Sequence, residues 1–166
     1  MNDFVVAECG IRQLHARFVD AVWRKDDAAF GACWGKDAEW KIATLHMHGR
    51  DEIQGIFAKL LGACQRVQLI PGPLLLEVTG DTAIGRVNCT ELAKMGDGSS
   101  AMTLGVYHDH YTQEDGRWVF ARRHFGLHYR GPLDFSGEIV AESPDFGPFP
   151  NMPAPDAPTY TRRAQS

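Results

Sequence analysis

The sequence predicts one α+β domain in which three N-terminal helices pack on a strongly curved, mainly antiparallel sheet. The first observation is the length of 166 residues, which suits a single domain that buries about 70% of its unfolded surface. The other two are a helical spacing of apolar residues early in the chain and an alternating pattern later. Helices on one face of such a sheet leave a hollow, so we expect a conical barrel with a pocket at one end.

The first part of the chain has the periodicity of helices. An apolar stripe with steps of three and four residues consists of Ile11, Leu14, Phe18 and Val22. It predicts a helix that begins near Asp3 and ends near Arg24. The segment 27–34 predicts a short second helix capped by Asp27. A third helix is expected to begin at Asp51 as N-cap and to end near residues 64–66.

The rest of the domain alternates with a period of two. Residues 39–48 predict one strand or a small hairpin. Four further strands are expected at Leu74–Val78, Ala83–Leu92, Met102–Gln113 and Trp118–Tyr129. Seven of the nine prolines follow residue 131. We therefore divide the chain into a domain, 1–131, and a proline-rich C-terminal extension, 132–166, which wraps over the body or a neighbouring subunit, or is disordered.

Composition and charge exclude several classes of protein. The chain is 44% hydrophobic and 23% charged, as in ordinary globular domains. A net charge of −4 and a pI near 5.9 provide no basic face for nucleic acid. No apolar run approaches the roughly 20 residues of a membrane span. Four scattered cysteines without a C-x-x-C motif, after an acidic start, predict a soluble cytoplasmic protein with reduced thiols.

Six of the seven histidines form spaced pairs: 46 and 48, 108 and 110, 124 and 128. On a strand, residues i and i+2 share a face, so either His-x-His pair has the spacing of a two-imidazole metal chelate. A cupin-type metal enzyme using Glu114 is one interpretation. However, its glycine spacing is absent, and cupins lack the long helical start. Solvated or interface histidines are the alternative that the sequence favours, and we expect no metal site.

Motifs for organic cofactors are also absent. The sequence contains no G-x-G-x-x-G, no P-loop and no G-x-S-x-G. We therefore expect acid–base chemistry without a cofactor.

One string of residues is similar to a known family. GVYHDHYTQEDGRWVFARR, residues 105–123, follows three predicted helices and the segment DAEWKI. With its G-x-Y-x-D and D-G-x-W-x-x-x-x-R spacing it resembles the SnoaL-like branch of the nuclear transport factor 2-like superfamily, over residues 4–129. The resemblance implies a conical α+β barrel, commonly a homotrimer or dimer, and enzymes that mostly act without cofactors on apolar, ring-bearing molecules. Relatives include scytalone dehydratase, bile-acid dehydratase, hexachlorocyclohexane dehydrochlorinase, polyketide cyclases, steroid isomerases and non-catalytic subunits.

The family's site residues carry over only in part. Arg123 falls on the pocket arginine of the dehydrochlorinase-like members. Where those relatives have an aspartate near the end of the first helix, this chain has Trp23, and Phe18 replaces the helix tyrosine of the bile-acid enzyme. The histidine before the first long strand is absent, and Gln68 is the nearest polar residue. Glu91 aligns with an aspartate of the bile-acid dehydratase.

Strand alternation supplies other candidates for the site. If Arg123 faces the cavity, then Val119, Ala121, Phe125, Leu127 and Tyr129 do so as well. On the neighbouring strand the inward set is Gly105, Tyr107, Asp109 and Tyr111, with the glycine leaving room for a ligand. The resulting catalytic candidates are Arg123, Tyr107, Asp109, His48 and Glu91. The candidate substrate-binding residues are Phe18, Trp23, Trp40, Val87, Phe125 and Leu127.

Each catalytic candidate has a chemical role and a structural alternative. Tyr107 or His48 would move a proton, Asp109 would orient that group, and Arg123 would hold a developing oxyanion or leaving group. Alternatively, Tyr107 and Asp109 only tie the sheet to the first helix, and His48 closes a turn. Glu91 is then a solvated charge at a strand end. We expect His15 to be a surface residue and both Trp23 and Trp40 to belong to the core.

The sequence therefore predicts a cofactor-independent lyase that acts on a small aromatic or polycyclic compound. The reaction would be a dehydration, a dehydrohalogenation or a retro-aldol deformylation that begins with proton abstraction in an apolar pocket. An isomerase of a ring-bearing substrate is an alternative. A non-catalytic binding or accessory subunit is another, because the family's Asp and His are missing. A metal-dependent oxygenase is a third.

Overall fold

The computed structural model describes residues 3–133, which form three helices and one six-stranded sheet. The helices are Asp3–Arg24 (α1), Asp27–Gly31 (α2) and Arg50–Gly62 (α3). The strands are Trp34–Ile42 (β1), Leu45–His48 (β2), Cys64–Thr79 (β3), Thr82–Met95 (β4), Ser100–Glu114 (β5) and Arg117–Gly131 (β6). Their order is β2-β1-β6-β5-β4-β3, and within these residues only β1 and β6 pair in parallel. This confirms the predicted α+β class and its mainly antiparallel sheet.

The helices differ from the prediction at their ends. The side chain of Asp26, rather than Asp27, caps α2 by accepting a 2.8 Å hydrogen bond from the Ala29 backbone N–H. Helix α3 begins after Gly49, whose φ of 83° suits glycine, and no side chain caps it. Asp51 instead lies in the first turn. A carboxylate is favoured at the N-cap, where it accepts a backbone hydrogen bond, and also in the first turn, where it interacts with the helix dipole. The sequence pattern alone therefore does not show which of these two positions an aspartate occupies.

Two strands are longer than expected. The predicted strand 39–48 is a hairpin whose first strand already begins at Trp34, within the predicted second helix. Strand β3 begins at Cys64 and passes through a register irregularity between Pro71 and Leu74. The part of β3 before these prolines was not predicted, because proline interrupts regular strand pairing. Beyond residue 133 the predicted extension lies outside the described residues.

An aromatic core lies between the sheet and the helices. Helix α1 packs on β3 and β6, and α2 packs on α3. The rings of Phe30 and Phe57 are stacked with their centroids 3.4 Å apart, and Trp34 is fully buried. Trp40 is buried as expected, but Trp23 is 49% exposed. The buried face of α1 ends at Val22, so the tryptophan one residue later projects beyond the core. No helix among residues 3–133 has the length and apolarity of a membrane span.

Two bulges change which side chains of β6 face the core. Tyr111 pairs with Phe120 and His110 pairs with Arg122, so Ala121 is an extra residue. Phe120 therefore joins Arg123 on the core side, while Val119 is buried outside the core cluster. A second shift makes His128 extra, and Tyr129 also lies outside that cluster. The predicted inward set of Val119, Ala121 and Tyr129 is wrong, because strict alternation fails at each bulge.

Candidate active site

A chain of buried polar side chains crosses the inner face of the sheet beneath α1. Arg123 donates through Nε and Nη2 to Asp109 Oδ1 and Oδ2, at 2.8 and 2.9 Å. Tyr111 Oη donates to Asp109 Oδ2 at 2.9 Å. His15 Nε2 lies 2.8 Å from Tyr111 Oη and 3.7 Å from Asp109 Oδ2. We call these four residues the His15–Arg123 chain.

Regular strand geometry brings this chain together. Asp109 and Arg123 are direct partners on β5 and β6, and Asp109 and Tyr111 share a face because they are two residues apart. His15 comes from the buried face of α1. The expectation that His15 is a surface residue is wrong. It follows Ile11 by four residues and precedes Phe18 by three, so the apolar stripe itself indicated that His15 is buried.

The Arg123 guanidinium is enclosed by aromatic rings. Its central carbon lies 3.8 Å from the ring centroid of Tyr107, 4.0 Å from Phe120 and 4.5 Å from Phe18. Burial disfavours its charge, but the Asp109 carboxylate, together with Tyr107 and Tyr111, raises the pKa of Arg123. Its Nη1 is buried and has no hydrogen-bond partner among the described residues. The two N–H bonds of this buried Nη1 are thus without an acceptor among those residues.

The imidazole of His15 is neutral at pH 7. Burial and the Arg123 charge together lower the pKa of His15 to about 4, although the Asp109 charge acts in the opposite direction. Because the Tyr111 hydroxyl donates to Asp109, its oxygen is left to accept from His15 Nε2–H. Nδ1 of His15 then carries the lone pair. Burial and the Asp109 charge raise the pKa of Tyr111, so this hydroxyl keeps its proton.

A cleft of about 570 Å³ opens between α1 and strands β3 and β4. Its lining residues are Arg12, His15, Ala16, Val19, Asp20, Trp23, Pro71, Gly72, Pro73, Leu74 and Val87. The volume suits a small organic ligand. His15 is the one member of the His15–Arg123 chain that lines this cleft. It therefore connects the cleft to the buried charges.

The structure brings together some of the sequence-predicted catalytic residues. Arg123, Asp109 and Tyr107 are mutually close and buried. Glu91 is half-buried on β4, ahead of the strand's last residues, and burial raises the pKa of its carboxyl group. It is therefore not a solvated strand-end charge. His48 lies on β2, with its side chain 62% exposed beside Glu39, and none of the other four contacts it in the described structure.

The predicted substrate-binding residues separate into two groups. Trp23 and Val87 line the cleft. Phe18, Trp40 and Phe125 are packed in the core, and Leu127 packs against it. The predicted room for a ligand at Gly105 is filled, since a Cβ there would lie 2.2 Å from Phe125 Cζ. The glycine makes space for a neighbouring ring and not for a ligand.

Residues 6–124 match the family described as the SnoaL-like domain. The chain belongs to the SnoaL-like family. The match covers the three helices and most of the sheet, including all four residues of the His15–Arg123 chain. No protein of curated function matches the sequence.

Solved structures resemble this SnoaL-like protein in fold. A hexachlorocyclohexane dehydrochlorinase, LinA type 2, has a TM-score of 0.73 at 22% identity, over 79% of this chain and 91% of that one. The LinA type 3 enzyme of Novosphingobium barchaimii LL02 has a TM-score of 0.72 at 20% identity, over 83% and 97%. A scytalone dehydratase-like protein of Novosphingobium aromaticivorans DSM 12444 has a TM-score of 0.74 at 16% identity, over 86% and 95%. These similarities establish the shared fold.

Proposed function

We propose that this SnoaL-like protein is a cofactor-independent lyase for a small ring-bearing substrate. The observation that carries the proposal is the position of His15, which lines the cleft and is hydrogen-bonded to Tyr111. A neutral imidazole held by a Tyr–Asp pair has the arrangement of an oriented general base. The mainly apolar cleft lining, with Trp23 and Leu74, supports a substrate with a hydrophobic ring.

The proposed reaction is a β-elimination. His15 Nδ1 takes a proton from a substrate carbon, and the electron pair of that C–H bond forms the new double bond. The bond to the leaving group on the adjacent carbon breaks, and the group departs as halide or, with a returned proton, as water. Asp109, 3.7 Å from His15 Nε2, stabilises the imidazolium that forms. Because the pKa of His15 is low, the imidazolium is an effective acid that returns the proton to a departing hydroxyl group.

Arg123 and Glu91 have supporting roles in this proposal. Arg123 fixes Asp109 through hydrogen bonds, and because Arg123 does not line the cleft, its expected role of holding a developing oxyanion stays a prediction. Glu91 is the second candidate base, because burial raises the pKa of its carboxyl group. Tyr107, stacked on Arg123, stays a candidate proton carrier from the sequence prediction. Assembly as a homotrimer or dimer and a cytoplasmic location likewise stay predictions.

A turnover screen in deuterated water tests the proposal. The chelator-treated protein is incubated with hydroxylated, halogenated and diaryl ring compounds, and products are followed by mass spectrometry. Loss of water or hydrogen halide from a compound is the expected result, whereas loss of formaldehyde would favour a lyase of the retro-aldol type. Binding without any change in mass would contradict the lyase and favour the binding-subunit alternative. Deuterium uptake without loss of a fragment would favour an isomerase.

The His15→Gln variant then tests the assigned base. Glutamine can still hydrogen-bond to Tyr111 but cannot accept a proton at neutral pH, so we expect kcat to fall by about 100-fold or more. His110→Gln is the matched control, since His110 is on β5 between Asp109 and Tyr111 but on the opposite face. It is expected to keep full activity. If His15→Gln stays active and Glu91→Gln does not, the base is Glu91.

A further inference from the structure

Three side chains of the types that ligate metals meet on the β1–β2 hairpin, apart from the candidate active site. Glu39 is on β1, and His46 and His48 are on β2. Glu39 pairs directly with His48, and the two histidines share a face because they are two residues apart. One ligand atom from each residue lies within 4.8 Å of the other two. No other group of three among the described residues meets this condition.

The distances in this cluster suit a single metal ion. Glu39 Oε2 lies 3.0 Å from His46 Nε2 and 3.8 Å from His48 Nδ1. Ligand atoms bound to tetrahedral zinc at about 2.0–2.1 Å are about 3.3 Å apart. The two observed separations lie on either side of this value. Small side-chain rotations therefore suffice to admit an ion between the three atoms.

Neighbouring groups hold the ligands in place. Arg122 Nε lies 3.2 Å from Glu39 Oε1, so the other carboxylate oxygen faces the histidines. The backbone N–H of His48 donates to Glu52 Oε2 at 2.7 Å, which fixes the end of β2 against α3. Outer contacts of this kind orient ligands in metal sites. The His46 and His48 side chains are 39% and 62% exposed, so solvent reaches the cluster and water can complete the coordination.

We propose that Glu39, His46 and His48 bind one divalent transition-metal ion of the zinc type. Two imidazoles and one carboxylate favour Zn²⁺, Co²⁺ or Ni²⁺ over Ca²⁺ and Mg²⁺, which prefer oxygen ligands. The ion joins β1 to β2 and stabilises the hairpin. His15, Asp109 and the cleft play no part in this site, so it does not depend on the proposed lyase activity.

Metal titration of the full chain tests this site. Chelator-treated protein is titrated with Co²⁺, followed by visible absorption, and then with Zn²⁺ by calorimetry. We expect one equivalent to bind and the melting temperature to rise. His46→Ala and Glu39→Gln are each expected to weaken binding at least tenfold and to abolish the rise in melting temperature. His46 is exposed and Glu39 is partly buried beside Arg122, so circular dichroism checks that each variant is folded.

A histidine from the other His-x-His pair provides the matched control. His110→Ala removes the same chemical group from β5 and is expected to keep one equivalent of metal with unchanged affinity. Failure of the wild-type chain to bind one equivalent would overturn the proposal. Equal loss in His110→Ala would do so as well. If metal binding is lost in a Cys9→Ser variant and retained in His46→Ala, the metal is bound by the exposed thiol instead.

Discussion

At the scale of single residues, the Arg123–Asp109 pair dominates the candidate site. The two side chains are 1% and 0% exposed, so both charges are removed from water. Two short hydrogen bonds and the faces of three aromatic rings replace the lost hydration. Such a pair is costly to break from one side, because the remaining partner is left as an uncompensated buried charge.

Removal of one partner is therefore expected to destabilise the protein more than removal of both. We predict that Arg123→Met lowers the free energy of unfolding by about 3–5 kcal/mol. The double variant Arg123→Met/Asp109→Leu should recover a large part of this loss. Urea denaturation measures both. Arg12→Met, which removes an exposed ion pair with Glu8, is the control and should cost about 1 kcal/mol or less. A double variant as unstable as the sum of its single changes would contradict the argument.

The hydroxyl of Tyr111 connects His15 to Asp109. Tyr111→Phe deletes this link and little else, so we predict a loss of about 1–3 kcal/mol in unfolding free energy. Turnover should fall at least about tenfold, since the imidazole loses its orienting partner. Steady-state kinetics should place the loss in kcat rather than in KM. Tyr107→Phe is the companion variant, and a larger effect there than at Tyr111 would move the proton-transfer role to Tyr107.

At the scale of secondary-structure elements, regular parts of the chain could be predicted and irregular parts could not. The inward positions of Tyr107 and Asp109 on β5 are confirmed, because β5 pairs with β4 without an extra residue. On β6 the extra residues Ala121 and His128 shift the alternation, and neither is a glycine that would signal a bulge. Only the register with β5 shows them. The hydrogen bonding of His15 could not be predicted either, because its partners are on a strand that is distant in the sequence.

The close packing of β5 on β6 depends on Gly105. A Cβ at this position would lie 2.2 Å from Phe125 Cζ and 2.4 Å from the backbone oxygen of Gly126. We predict that Gly105→Ala destabilises the fold by about 1–3 kcal/mol or more, because the backbone itself must shift. Gly55→Ala is the matched control. Gly55 lies in α3, and a Cβ there would meet no atom within 4 Å, so that change should stabilise the helix by about 0.5–1 kcal/mol. Thermal or urea unfolding of the two variants should give shifts of opposite sign.

At the scale of the whole molecule, the sheet separates two kinds of histidine. His15 lies on the buried face of α1 at the cleft, whereas His108 and His110 lie on the face of β5 opposite Asp109, and the histidines of β2 are exposed. The SnoaL-like fold thus leaves one neutral imidazole beside buried charges on its inner side. On the hairpin it exposes the two imidazoles of the proposed metal site. The two proposed sites can therefore be tested independently, by turnover and by metal titration.

Because His15 is buried without charge, its protonation is linked to unfolding. Its pKa is about 4 in the folded protein and about 6.5 when unfolded, so the unfolded chain binds more protons between these pH values. The contribution of His15 to stability is complete above about pH 6.5 and is lost as the pH falls toward 4. From the two pKa values this loss is about 3 kcal/mol.

Comparison of wild type with His15→Gln isolates this contribution. Two other groups also change stability over this pH range. Burial lowers the pKa of His108, so His108, like His15, reduces stability as the pH falls. Burial raises the pKa of Glu91, so Glu91 increases stability as the pH falls. Both are present in the variant, so their effects cancel in the difference. We predict that the difference in unfolding free energy between the two proteins narrows from pH 7 to pH 4 in a series of urea denaturations.

The pH dependence of activity provides a second measurement on His15. The acid limb of kcat/KM should fall near pH 4, because protonation of the same imidazole removes the base. A limb near pH 6.5, with a constant stability gap, would mean that His15 titrates as an exposed histidine and is not the group that joins the cleft to Asp109.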